Sequence, residues 1–99
     1  MERILKLDGI TDVIVEISQP EVDKETDGHY KCRYTIHGLP KVLNGEAMGV
    51  DAIQAIHFAL KLVGNRLYTL DEFRENRLTW PFSVDSQDLG FPTAVTATE

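Results

Sequence analysis

Apolar and polar residues alternate most cleanly over residues 29–38. Tyr30, Cys32, Tyr34 and Ile36 fall on one side, and Lys31, Arg33, Thr35 and His37 on the other. A period of two is that of a strand with one buried face. The same pattern, broken only at Ile14, sets Val13, Val15 and Ile17 against Asp12, Glu16 and Ser18. Residues 3–7 predict a short strand before it, and Asp8-Gly9 makes a hairpin turn because both residues tolerate positive φ. Residues 41–49 predict a weaker fourth strand, with a bulge at Gly45. The polar, acidic stretch 19–28 reads as a mobile loop that begins where Pro20, lacking an N–H, ends the second strand.

The period changes to 3.6 after Gly49. At 100° per residue, Ala52, Ile53, Ala55, Ile56, Ala59, Leu60, Leu62, Val63 and Leu67 gather into one apolar arc. Gln54, His57, Lys61 and Asn65 collect opposite. This predicts an amphipathic helix over about residues 51–67, with Asp51 at its N-cap and Gly64 stopping or weakening its end. Thr69 and Glu72 have capping-box spacing and predict a short second helix. Leu78, Trp80 and Phe82 alternate in an edge segment that Pro81 bars from a central position. The fold class is therefore α+β: a four-stranded, mainly antiparallel meander with the long helix packed on one face. Residues 1–92 are read as one domain and 93–99 as a loosely held tail.

Composition narrows the partners. The 99 residues carry 16 acidic and 10 basic side chains, a formal net charge of −6. Phosphate binding needs clustered cations, so nucleic acid and anionic membrane surfaces are poor partners. A basic protein is a better one, because opposite charge speeds encounter. The acidic group in the loop, Glu21, Asp23 and Glu25, is the candidate contact. The single cysteine forms no internal disulfide, and no targeting or membrane-spanning segment is evident, so the cytoplasm is the expected compartment. The sequence leaves the oligomeric state open.

Candidate chemistry is sparse. His29 and His37 share a strand face but stand roughly 26 Å apart at ~3.3 Å per residue, and Cys32 points the other way, so no metal site is expected. Cys32 on the core face reads as a buried thiol rather than a nucleophile. Lys31 and Arg33, with His37, form an outward basic row that is either solvated or half of an interface. Gln54 and His57, one helical turn apart, either bind a ligand or face solvent. Trp80, Phe82 and Phe91 are expected to fold back on the core. Left exposed, they would be interface anchors. No catalytic residues and no cofactor are assigned.

Pro20, Cys32 and Gly38, then Gly49, Asp51, Gln54, Ala55, Ala59 and Leu60, and finally Asp88, Leu89, Gly90, Phe91 and Pro92 form a pattern across most of the chain. It resembles a bacterial family known only as a domain of unknown function, with a Gly-x-Asp-x-x-Gln-Ala helix and a terminal Asp-Leu-Gly-Phe-Pro. The resemblance carries no activity. It implies a structural role for the terminal motif, a tight turn clipped against the seam between sheet and helix.

The leading expectation is a small acidic protein-binding module, immunity-like or inhibitory, that neutralises a basic partner without catalysis. The alternatives are a small-molecule-binding regulatory domain using Gln54 and His57, and a protein of unknown function with no catalytic activity.

Overall fold

The computed structural model describes residues 1–85 and 87–92. The elements are β1 (Glu2–Leu7), β2 (Thr11–Ile17), β3 (Glu21–Val22), β4 (Tyr30–His37), β5 (Leu43–Gly49), α1 (Ala52–Tyr68), α2 (Asp71–Arg74) and β6 (Leu78–Thr79). One antiparallel sheet holds all the strands, and it has six, not four. The four expected strands pair in chain order as a meander.

The two additional strands are two residues each. β3 lies in the stretch read as loop. It resumes the ladder on β4 after a break at Ser18–Pro20, where the proline interrupts pairing. From Ile17–Tyr34 to Glu21–Lys31 this side advances four residues and β4 only three, so one extra residue is accommodated. Ser18 bridges the break: its N–H donates to the Arg33 carbonyl and its Oγ accepts from the Arg33 N–H, both at 2.9 Å. β6 is the expected edge segment, paired with Lys6 and Leu7 of β1 before Pro81 stops it. No bulge forms at Gly45, which pairs in register with Tyr34 and lies under its ring.

The β1–β2 hairpin turns at Asp8 and Gly9, both at positive φ (56° and 73°), with the Ile10 N–H donating to Leu7 O at 3.1 Å. Arg77, just before β6, grips the turn. Its Nε and Nη2 donate to the two Asp8 carboxylate oxygens at 2.9 and 3.0 Å.

α1 buries a ridge of Ala55, Ala59, Val63 and Leu67 at intervals of four. The ridge lies over β4 and β5, where Cys32, Tyr34, Ile36 and Ala47 are buried beneath it. The predicted arc was too wide. Ile53 is 79% and Leu62 38% exposed, and Phe58, outside that arc, is likewise 38% exposed. Ile56 and Leu60 face the β1–β2 side of the sheet, so Phe58 and Leu62 on the other flank overhang β5, beyond which there is no strand among the described residues. The helix also runs through Gly64 to Tyr68. Thr69 closes it rather than starting α2: its hydroxyl donates to Asn65 O (2.9 Å) or Arg66 O (3.1 Å). α2 follows Leu70 with no side-chain cap, so the capping-box reading of Thr69 and Glu72 is corrected.

The segment Asp88–Pro92 seals the other flank of α1. Leu89 is fully buried and Phe91 nearly so. The Leu89 N–H donates to the Tyr68 hydroxyl (2.9 Å), and Asp88 Oδ1 accepts from the Gly90 N–H (2.7 Å). Gly90 has φ +79°, and a Cβ there would lie 2.5 Å from Arg3 Nη1 and 2.6 Å from the Trp80 ring. Arg3 stacks on Trp80 and Phe91 at 4.2 and 4.7 Å from the ring centroids, while Nη1 donates to Gly90 O at 2.6 Å. Gly64 is buried because the Pro92 carbonyl presses on it, leaving no room for a Cβ. The expected tail, 93–99, lies outside the described residues.

Gly64→Ala sets two effects against each other. Helix propensity favours alanine by about 1 kcal/mol. The clash with Pro92 O forces repacking of the kind that costs about 1–3 kcal/mol. A net loss is expected in urea denaturation, and a stabilised variant would show that the crossing does not constrain the fold. Phe91→Ala is expected to cost about 3 kcal/mol or more, and a loss under about 1 kcal/mol would place the ring outside the core.

Arg77 holds the Asp8 carboxyl below its ordinary value, chiefly through the hydrogen bond. A depressed folded-state value stabilises at pH above the unfolded-state value of 3.8 and stops doing so as pH falls through the folded one. Asp8→Asn should therefore flatten the acid limb of the stability–pH profile below about pH 4. Superimposable profiles for the two proteins would remove this linkage.

Candidate functional site

Gln54 and His57, the polar pair on α1, separate on inspection. The Asp51 carboxylate accepts from the Gln54 backbone N–H (2.8 Å), and Gln54 Oε1 accepts from the Val50 N–H (2.8 Å). The two side chains form a reciprocal cap on the first turn of α1. The sequence carries this signal as Asp-x-x-Gln, the capping spacing that Thr69 and Glu72 also share. Gly49 belongs to the same junction, since a Cβ there would lie 2.5 Å from the Ala55 nitrogen. The Gly-x-Asp-x-x-Gln-Ala stretch is thus a strand-to-helix connection. His57 remains exposed, its ring 5.9 Å from that of Phe58.

The outward row on β4 is partly neutralised within the chain. Arg33 lies between Glu21 Oε1 (3.4 Å) and Glu46 Oε2 (3.5 Å), and His37 Nε2 meets Glu16 Oε1 at 3.0 Å. Lys31 lies between Glu21 and Met48 in the sheet register. These pairs are exposed and contribute little to stability, but the two carboxylates beside Arg33 cancel its cationic character on this face. In the acidic loop, Asp23 is structural: its carboxylate accepts from the Glu25 N–H (3.2 Å) and the Thr26 hydroxyl (3.1 Å). Glu25 is exposed. The structure therefore joins Glu21 with Arg33 and keeps Gln54 and Asp23 for local folding.

Cys32 is fully buried, its thiol 3.3 Å from the Ser18 carbonyl, and burial pushes its pKa up. Among the described residues, no three His, Cys, Asp or Glu side chains gather as metal ligands, and no helix is long and apolar enough to cross a membrane.

The expectation that Trp80, Phe82 and Phe91 all fold back holds for Phe91 and in part for Trp80. It fails for Phe82, which is 85% exposed. Pro81 is the reason. It turns the chain so that the Ser83 N–H donates to Trp80 O at 3.0 Å, and Phe82 lies at the tip of that turn. The Trp80 and Phe82 rings meet edge to face at 6.3 Å. Beside them lies a cleft of about 340 Å³ bordered by Glu2, Arg3, Ile4, Trp80 and Phe82. An apolar groove of about 230 Å³ lies across the sheet end between Val15, Ile17, Ile56, Leu60 and Phe91.

Gln54→Ala should cost about 1 kcal/mol through loss of the cap, whereas His57→Ala should stay within about 0.5 kcal/mol. Urea denaturation of the two variants separates the roles, and equal effects would contradict the assignment.

No curated protein and no solved structure matches the chain. Residues 1–93 match the sequence profile of the family described as Domain of unknown function (DUF6968), which spans both the strand-to-helix junction and the terminal clip, and the chain belongs to this family.

Proposed function

We propose that the domain is a non-catalytic protein-binding module that docks a basic partner, in the manner of an inhibitor or immunity protein. The observation that carries this reading is Phe82, 85% exposed at a turn tip against Trp80. Large aromatics, Phe among them, are enriched at protein interfaces. Charge supports the same reading. The net charge is −6, and the outward Arg33 is already matched by Glu21 and Glu46. The surplus carboxylates are left for a partner.

The apolar groove between α1 and the β1–β2 end supports a second reading, a small-molecule site. At about 230 Å³ it is smaller than the roughly 300–1,000 Å³ usual for such sites. Gln54, formerly its candidate polar contact, is committed to the helix cap.

The test uses the full chain, immobilised, and the same chain carrying Phe82→Ser or Glu25→Lys. A captured protein is purified and its affinity for each chain measured by calorimetry at two salt concentrations. The expected result is a basic partner whose affinity falls with salt and drops at least tenfold with Phe82→Ser. Capture that is indifferent to both substitutions, or no specific capture, would sink the reading.

A further inference from the structure

We infer that the outer edge of β1 receives an extended segment of the partner protein as an added antiparallel strand, with an apolar residue opposite Ile4 and a basic residue opposite Glu2. This inference rests on the protein-binding reading and assigns it a site. The edge is open for a definite reason. Met1 and Ile17 exchange two backbone hydrogen bonds, at 3.0 and 2.7 Å. By the alternation of an antiparallel ladder, Arg3 and Leu5 also point their backbone groups toward β2, and Glu2, Ile4 and Lys6 point theirs away from it. Lys6 is satisfied by Thr79, and the Asp8 N–H donates to Arg77 O at 2.7 Å. Pro81 then diverts the chain, and β6 reaches no farther along β1. The N–H and C=O groups of Glu2 and Ile4 are left facing the cleft beside Trp80 and Phe82.

The side chains there specify the occupant. Ile4 is 42% exposed and Phe82 85%, so the cleft offers apolar surface to a residue opposite Ile4. Glu2 stands directly across from Glu16 on the same face of the sheet. Like charges opposed in this way repel. Among the described residues no ion pair involves Glu2, and Glu16 is met only by His37. A lysine or arginine opposite Glu2 would relieve the repulsion. An antiparallel strand passes Ile4 before Glu2, so the segment reads apolar–any–basic from its N-terminus. Main-chain pairing would supply affinity, and the two side chains specificity.

The test is selection from a displayed random heptapeptide library on the full chain, followed by amide NMR with the enriched synthetic peptide. The expected result is enrichment of the apolar–any–basic pattern, with slowed hydrogen exchange at the Glu2 and Ile4 amides. Phe82→Ser should weaken the peptide at least tenfold, and Glu2→Lys should turn the selected basic position acidic. Both sites are exposed, and thermal melts check that both variants fold. Peptides that bind but protect amides elsewhere would overturn the edge assignment and leave the protein-binding reading standing. No enriched peptide, together with no captured partner, would remove both. Concentration-dependent dimerisation that Phe82→Ser abolishes would also overturn the proposal, since a second copy would then occupy the edge.

Discussion

The carbonyl of Pro92 lies against the backbone of α1 at Gly64, and the rest of the structure depends on that crossing. A helix over a small sheet leaves one flank open unless another segment covers it. Here Leu89 and Phe91 cover it, and they come close enough only because the helix has no side chain where they cross. The seam is held from both layers. Tyr68 of α1 accepts from Leu89, and Arg3 of β1 donates to Gly90 while stacking on Trp80 and Phe91. β1 and the segment around Gly90 are thereby tied together through one guanidinium. An arginine suits this place because its flat face stacks on aromatics while its edge donates hydrogen bonds.

The other end of α1 is governed by the same economy of space. Gly49 ends β5 against the first helical turn, Asp51 and Gln54 accept from the Gln54 and Val50 N–H groups there, and Ala55 begins the buried ridge. Small residues at Gly45, Ala47 and Gly49 form the helix-facing side of β5, with Ala55 and Ala59 above. The two ends of α1 are therefore held by two structural devices, a junction and a clip. Neither contains the exposed Phe82, so the proposed docking surface lies outside both.

Pro81 connects fold and proposed function. A residue with an N–H at that position would let β6 continue along β1. Proline ends the ladder, opens the edge of β1 at Ile4 and Glu2, and turns Phe82 into solvent. The same lack of an N–H at Pro20 breaks β2 from β3, but there Ser18 repairs the gap. One proline leaves its strand partner unsatisfied and the other does not. That difference rests on a serine hydroxyl and on which side of the sheet the chain leaves.

The sequence by itself determined the elements whose physics is local. Alternation over Tyr30–Ile36 and Val13–Ile17 specified the central strands, Asp8-Gly9 their hairpin, and the 3.6-residue period the long helix, because each depends on neighbours a few positions away. The role of Gln54 was also legible, as Asp-x-x-Gln spacing. Tertiary structure decided the rest. Two-residue strands such as Glu21–Val22 and Leu78–Thr79 carry no period of their own and exist only because β4 and β1 offer free backbone groups. Whether Gly64 ends a helix or admits another segment depends on Pro92, 28 residues later. Whether Ile53, Leu62 and Phe82 are buried depends on where the sheet ends and which segment covers the flank, and burial of that kind is set by contacts between residues distant in the chain.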